Sequence, residues 1–498
     1  MDLFWNAGQR DTINGVDLLG VRQVDQDLEQ IWAVAVTTVA GRARYLSLLT
    51  WTIAEYYERI LAASDGRATF DWDAFKRISG RLESITLAAT VSAGGSKDLG
   101  VMGRRNYLME LEHLTSHRSI DLSEISRLAL HLTYYGPCRG FGLLQDGPSA
   151  ERPIQIPPAG QALHAARNAA TKGARLVDAV FLGGKVDHED FVRERHLFDL
   201  NALTGDAATN ERELLQAAFR RSEKFSETMG WIFRSLAAAP RSPGQLMKWN
   251  YETCVASPAE PGRLELAFCE LELRRRVHFA LELLLSATTL TLNDHEAVTL
   301  PNIVDQWQDA RLSSDDVVGT TMWSLTHSLA TFIAQAGPRS FEGAWIAPRD
   351  IRDASGGQQA LYAVALFLAC ERQSRHLRVA GWIPDRRSAV DKVFARLGAD
   401  ANRPLRDVLV ELVREHVVGR HLEVTLGKMG RGMGCSLRFY PEGAALRPLV
   451  TAARAGFSAL RLRNVLATLA DIGLLARGDD ATFLVTTAGA RFHTELRG

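Results

Sequence analysis

The sequence predicts a mostly α-helical protein of several domains with a small α+β region at its C-terminal end. Apolar residues recur at helical spacing over long stretches, whereas strand signals stay weak until the neighbourhood of Cys435. With 498 residues, of which 46% are hydrophobic and 23% charged, the chain is long enough for several buried cores.

The N-terminal part is predicted to consist of helices joined by short breaks. Between Asp25 and Leu61 apolar residues follow i, i+3, i+4, i+7 spacing, and we expect Gly41 to interrupt this helix. A second helix is predicted near Trp72 to Leu87, with Asp71 as its N-cap. The stretch from Gly136 to Gly160 is rich in Gly and Pro, which predicts a surface excursion between two helical blocks.

The last fifty residues predict a helix, a second helix and a β-hairpin. Pro448 to Ala455 is expected to be the first helix, because Pro suits a first helical turn and Gly456 suits a stop. Ser458 is expected to cap the second helix, which carries apolar residues at helical spacing as far as Ile472. The strands and turn that follow are Leu474-Leu475, Arg477 to Asp480 and Phe483 to Val485. This order of elements is that of a winged helix.

The long helix predicted at Leu264 to Ser286 belongs to a central block. Its three consecutive arginines, Arg274 to Arg276, are interpreted as a solvated face or a contact patch.

The breaks in the helical pattern predict four domains. They are an N-terminal helical domain over 1–146, a second helical block with a Gly/Pro-rich entry loop over 147–262, a central helical block over 263–420 and the winged-helix domain over 421–498.

Candidate nucleic-acid contacts lie on the second helix of this C-terminal module. Arg461 and Asn464 fall off its apolar stripe, with Arg463 near the edge, and Arg477 in the wing could reach a phosphate. Arg and Asn are the side chains that make bidentate contacts with guanine and adenine. Residues 440–498 hold seven Arg against five Asp and Glu, a weak footprint for a DNA reader, so a protein-docking module is the alternative.

A second candidate is the segment Thr38 to Tyr45, which contains Arg42 and Arg44. Two positions apart, these arginines cannot share one helix face, so one is expected to pair inward while the other faces a groove or a partner. The alternative is that both are solvated or are bound to carboxylates such as Glu55 and Glu58.

This T-x-x-x-R-A-R-Y segment, followed by Leu46 to Trp51, resembles the opening of a bacterial protein family of unknown function found among anti-phage defence genes. Shorter pieces are similar too: Gly140 to Leu144, Pro158 to Leu163, Asn210 to Leu215 and Asn464 to Leu475. The resemblance implies a defence-system component that works beside helicase or nuclease partners, and it supplies no catalytic residues.

Residue types of a metal site occur at Asp187 to Asp190 with His196, but the two histidines lie eight apart, unlike the i, i+4 pair of a zinc helix. Asp187 as an N-cap explains the same residues, so we predict no metal and no cofactor.

Charge and cysteine content bear on partners and compartment. Lys+Arg and Asp+Glu are both 58, which disfavours general polyanion binding and confines any DNA contact to one surface. Five scattered cysteines, the absence of a signal-peptide pattern at the start and the absence of a membrane-spanning apolar run predict a cytoplasmic protein without membrane contact.

These observations together favour a non-catalytic component of a bacterial anti-phage defence system. It would bind DNA, partner subunits or both through the winged helix and recruit or regulate an effector. A metal-dependent nuclease whose acidic residues converge only in the fold is one alternative, and a purely structural scaffold subunit is the other. The sequence therefore leaves open whether the protein is an enzyme, although a binding role is favoured.

Overall fold

A computed structural model describes the chain over most of its length. The described residues are 17–33, 36–37, 39–62, 69–93, 101–102, 119–122, 129–256, 262–312, 323–331, 351–379, 388–430, 436–449 and 452–497. Over these residues the protein is mostly α-helical with a small α+β region near its C-terminus, which confirms the predicted fold class.

The α-helices of the described residues are numbered in chain order. They are α1 (Arg22–Trp32), α2 (Arg44–Tyr56), α3 (Trp72–Ser92), α4 (Ala129–Gly140), α5 (Pro158–Thr171), α6 (Arg175–Leu182), α7 (His188–Glu194), α8 (Thr209–Arg221), α9 (Glu223–Ala237), α10 (Pro243–Ala256), α11 (Arg263–Asn293), α12 (Leu300–Asp305), α13 (Gly356–Val379), α14 (Ala389–Ala399), α15 (Leu405–Leu412), α16 (Arg420–Met429), α17 (Leu462–Asp471) and α18 (Thr487–Arg497). A π-helical segment continues α2 over Tyr57–Leu61, and another continues α15 over Val413–Gly419.

The strands are short and pair antiparallel. They are β1 (Ile120–Asp121), β2 (Gln145–Asp146), β3 (Ile154–Gln155), β4 (Lys185–Val186), β5 (Val298–Thr299), β6 (Arg311–Leu312), β7 (Trp323–Ser324), β8 (Phe439–Glu442), β9 (Ala445–Pro448), β10 (Leu475–Arg477) and β11 (Phe483–Val485). One sheet has three strands in the order β5-β9-β8, and the others are two-stranded pairs.

The chain folds into two compact units, each made from two separate stretches. The first unit contains Met1–Leu28 and Met247–Ser458, and the second contains Glu29–Leu246 and Ala459–Gly498. The range 421–498 is therefore divided between the units after Ser458. The four-domain division remains a prediction.

In the first unit α11 is the central helix. It is buried on all sides along most of its 31 residues and packs most extensively against α13. A helix with apolar residues around its whole circumference belongs in the middle of a core, and the Leu-rich second half of α11 has that pattern.

In the second unit α2 is the central helix. Every one of its 13 residues is buried, and it packs against α4 and α5. The predicted break at Gly41 is confirmed, since α1 ends at Trp32 and α2 begins at Arg44. Asp71 caps α3 as predicted, because its side chain accepts hydrogen bonds from the amides of Asp73 and Ala74.

The C-terminal module is partly as predicted. The helix ending at Gly473 and the β10-β11 hairpin are confirmed, with Leu475 opposite Val485. The predicted helix over Pro448 to Ala455 is wrong, because Pro448 ends strand β9 and residues 452–455 are not helical. There the Ala453 amide donates to the Thr289 hydroxyl, and the chain is held in the core by that bond instead of by helical bonds.

Ser458 is not the helix cap that the sequence predicts. Its hydroxyl donates to Asp25 Oδ2, 2.9 Å away, and α17 begins four residues later without a side-chain cap. The sequence analysis also missed α18, which follows the hairpin and packs on α9.

Candidate functional site

The predicted DNA-reading face of α17 is covered in the second unit. Arg463 is the only exposed residue of this ten-residue helix. The Arg461 side chain is 9% exposed, and its guanidinium Nε lies 3.8 Å from the Glu29 carboxylate. The half-buried Asn464 donates its amide to the carbonyl of Thr37 at 2.8 Å. The expectation that Arg461 and Asn464 stand open to solvent is therefore wrong.

Arg42 and Arg44 are both buried, each against a different carboxylate. Arg42 Nε lies 2.8 Å from Asp471 Oδ2, and Arg44 Nη2 lies 3.3 Å from Glu211 Oε2. Both arginines therefore pair inward, and Arg42 in addition lines a cleft of the second unit. The alternative, that carboxylates bind both arginines, agrees with the structure, but the carboxylates are Asp471 and Glu211 and not Glu55 and Glu58.

Glu211 is the centre of a buried polar network at the start of α8. It accepts hydrogen bonds from Ser47 and from Arg167 and forms the ion pair with Arg44. Burial raises the pKa of Glu211, but the guanidinium groups of Arg167 and Arg44 and the Ser47 hydroxyl more than offset burial and lower it to about 2. The carboxylate is therefore charged at neutral pH, and the network fixes α2, α5 and α8 together.

A cleft of about 590 Å³ opens beside the Arg42–Asp471 pair, within the second unit. Its charged lining residues are Arg42, Asp471 and Arg477. Polar groups come from Thr90, Asn201 and Thr204, and aliphatic walls from residues such as Leu200 and Leu475. Small-molecule sites in proteins have volumes of roughly 300 to 1,000 Å³, so the cleft is large enough for a nucleotide-sized group.

Three elements hold the charges of the cleft in place. Arg42 precedes α2, and its Nη2 donates to Asn201 Oδ1 at 2.8 Å. Asp471 is the last residue of α17, and burial raises its pKa while Arg42 and Arg477 oppose that rise. Arg477 ends β10; its Nη2 lies 3.5 Å from Asp471 Oδ1, and its side chain is 37% exposed.

The charge balance of this cleft favours an anion. Two guanidinium groups face one carboxylate, which leaves about one positive charge, and the carbonyl end of α17 offsets roughly half of it. The tip of the β10-β11 hairpin does not extend the positive region, because Asp479 and Asp480 are exposed there. A phosphate would therefore be attracted to the base of the hairpin and not to its tip.

The arginine triple of α11, in the first unit, is not a contact patch. Arg274, Arg275 and Arg276 are all buried, and they pair with Glu270 or Glu272 on the same helix. Arg276 also lies 4.0 Å from the ring centre of Tyr251, which gives the cation an aromatic face as well as a carboxylate. The interpretation as a solvated or partner-binding face is wrong because the core of the first unit surrounds this helix.

Asp187 precedes α7 in the predicted N-cap position, but its side chain makes no capping hydrogen bond. Among the described residues the metal-ligand types that converge are instead Glu55, Glu58 and His164. The sequence did not predict this cluster, because His164 lies 109 residues after Glu55. The i, i+3 pair of glutamates was the one local signal.

Comparison with protein-family models, with curated proteins and with solved structures finds no match to this chain. Among the described residues no helix is both long enough and apolar enough to cross a bilayer.

Proposed function

We propose that this protein is a non-catalytic component of a bacterial anti-phage defence system that binds DNA through a backbone phosphate. The observation that carries the proposal is the cleft in which Arg42 and Arg477 flank the single carboxylate of Asp471. The defence context is supported by the resemblance of the R-A-R-Y segment. In that context the protein would place DNA beside a helicase or nuclease partner.

The two arginines would have different roles in phosphate binding in this cleft. Arg42 is held by Asp471 and Asn201, so it supplies a fixed positive field. Arg477 has a side chain that is 37% exposed, so it is the arginine of the cleft that a ligand reaches from solvent. Such contacts read the backbone and not the bases, because phosphates are common to every sequence.

The covered face of α17 argues against base reading in a major groove. A recognition helix needs several side chains at the groove floor, and only Arg463 of α17 is exposed. A single strand, whose backbone is more flexible than that of a duplex, is therefore the form of DNA that the cleft suits best.

The test is fluorescence anisotropy with a labelled single-stranded oligonucleotide and its duplex. With one or two phosphates bound, raising NaCl from about 50 to about 200 mM should lower the affinity for the single strand about three- to sevenfold. Arg477→Gln should weaken binding about fivefold, because it removes one charge-assisted contact at a partly exposed site.

Arg463→Gln is the matched control, since it makes the same charge change on an exposed residue of the same module that does not line the cleft. We expect its affinity to stay within about twofold of the wild type. Equal weakening by both variants would show that DNA does not bind specifically in the cleft and that the exposed surface of α17 contributes as much.

A structural scaffold subunit is the second candidate, and the burial of Arg42, Arg44 and Arg461 favours it. In that case the arginines exist to hold the fold together and the partner is another protein. Absence of salt-dependent binding to single strands and duplexes, together with a stoichiometric protein partner on purification from the native host, would establish the scaffold.

A further inference from the structure

Three side chains with metal-ligand chemistry converge in the second unit, outside the arginine cleft. Glu55 lies in the last turn of α2, Glu58 in the π-helical segment that continues it, and His164 in α5. One ligand atom from each lies within 4.8 Å of the others. The Glu55 and His164 side chains are 3% and 10% exposed, and that of Glu58 is 62% exposed.

The imidazole of His164 is fixed by Glu55. Its Nε2 lies 2.8 Å from Glu55 Oε1. The Arg59 guanidinium donates to the other oxygen of the same carboxylate, so Glu55 acts as an acceptor. His164 Nε2 must then carry the hydrogen of this bond.

Asn168 is a donor in this cluster and not an acceptor. The indole nitrogen of Trp51 donates to Asn168 Oδ1 at 2.9 Å, and an indole nitrogen can only donate. The amide nitrogen of Asn168 is therefore the atom that faces His164 Nε2 and Glu55. With its orientation set from the far side, Asn168 donates to Glu55 and cannot accept the Nε2 hydrogen.

The other ring nitrogen of His164 is directed at Glu58. Nδ1 lies 3.6 Å from Glu58 Oε1, which is too long for a hydrogen bond. In the neutral ring with its hydrogen on Nε2, the lone pair of Nδ1 faces the carboxylate oxygen, and two lone pairs repel each other unless a cation lies between them. Two ligands each about 2.1 Å from a tetrahedral zinc ion are roughly 3.4 Å apart, close to the observed separation.

We propose that His164 Nδ1 and Glu58 bind a divalent transition-metal ion of the zinc class, and that Glu55 is the outer carboxylate that holds the ring. Metal-bound histidines commonly donate their second N–H to a carboxylate in this way. The exposure of Glu58 leaves the remaining coordination positions to water or to a ligand from another molecule. This inference does not depend on DNA binding in the arginine cleft.

The experiment titrates the full-length protein with Co²⁺, followed by its visible absorption, and then displaces it with Zn²⁺. We expect one ion per chain. Glu58→Gln and His164→Gln should each weaken binding at least tenfold, and Glu55→Gln about tenfold. Glu189→Gln is the matched control: it removes an exposed acid beside His188, and should leave the affinity within about twofold.

Nitrogen NMR of the His164 ring separates a metal from a proton shared between the two glutamates. The proposal expects Nδ1 to be unprotonated in the metal-free protein and to shift on addition of Zn²⁺ while Nε2 keeps its hydrogen. Protonation of both nitrogens at neutral pH with no change on adding Zn²⁺ would overturn it, as would Zn²⁺ affinity unaffected by Glu58→Gln. Because Glu58 is exposed, that variant remains informative even where His164→Gln fails to fold.

Discussion

Arg42 and Asp471 form a buried ion pair although 429 positions separate them, with Nε and Oδ2 2.8 Å apart and side chains 3% and 5% exposed. The backbone amide of Ala43 donates to the same carboxylate oxygen at 3.0 Å. Within the second unit this pair joins the segment before α2 to the end of α17. The R-A-R-Y segment is therefore a structural joint as well as one wall of the cleft.

Replacing Asp471 by Asn should destabilise the second unit strongly. The variant leaves the Arg42 guanidinium buried without its counter-charge, which costs about 3 to 5 kcal/mol. Urea unfolding followed by tryptophan fluorescence measures the change. Asp479→Asn removes an exposed acid of the same hairpin and should cost less than about 0.5 kcal/mol. Equal effects of the two variants would contradict a special role for the ion pair.

The Glu211 network predicts a loss of stability in acid. The pKa of Glu211 is about 2 in the folded protein against an ordinary value of 4.5. The unfolded chain therefore takes up this proton first as the pH falls, so the contribution of Glu211 is present above about pH 4.5 and is lost toward pH 2.

In the wild type, the Glu211 contribution to the free energy of unfolding should fall by an amount on the order of 3 kcal/mol as the pH decreases across this window. Glu211→Gln should lack this decrease. The informative quantity is the slope against pH, because the variant is also less stable at neutral pH. Glu213→Gln, on the exposed side of the same helix, should keep the wild-type slope. A wild-type slope in Glu211→Gln would show that other carboxyl groups govern acid unfolding.

Local patterns in the sequence predicted much of the fold. The apolar spacing that predicts α2 and α11, the break at Gly41 and the cap at Asp71 depend on neighbours a few residues away, and the structure confirms them. Pro448 and Ser458 carry equally good local signals, but Pro448 joins a strand and Ser458 bonds to Asp25. Tertiary contacts override local preference there, and no pattern in a single sequence reports them.

The roles of the arginines were harder to predict for the same reason. An arginine off the apolar stripe of a helix normally faces solvent, yet Arg461 meets Glu29, 432 positions away. The cleft and the Glu55–Glu58–His164 cluster are also assembled from distant segments. Sequence spacing can indicate a site only when its residues lie on one element, as Glu55 and Glu58 do.

The described cysteines should differ in reactivity. Burial raises the pKa of Cys138 and of Cys370 to about 12, whereas a hydrogen bond from Cys269 lowers the pKa of Cys254. Cys254 is 6% exposed and Cys138 and Cys370 are fully buried, and the thiolate is the reactive form, so iodoacetamide should label Cys254 faster than Cys138 or Cys370 in the folded protein. Peptide mass spectrometry over a time course measures the rates, and urea should abolish the difference. Equal rates before unfolding would contradict the assignment.

Gly160 should not tolerate alanine, although it lies in helix α5. Helix propensity alone predicts that Gly→Ala stabilises a helix by about 1 kcal/mol. A Cβ at this position, however, would lie 2.1 Å from the backbone carbonyl oxygen of Leu143 and 2.8 Å from Ile156 Cγ2. A backbone atom cannot turn away as a side chain can, so we expect the clash to dominate and Gly160→Ala to lose about 2 kcal/mol in stability.

Gly244→Ala, near the start of α10, is the matched control, since a Cβ there meets no described atom within 4 Å. Thermal unfolding should place Gly160→Ala well below the wild type and Gly244→Ala at or slightly above it; the reverse order would mean that α5 can move away from Leu143.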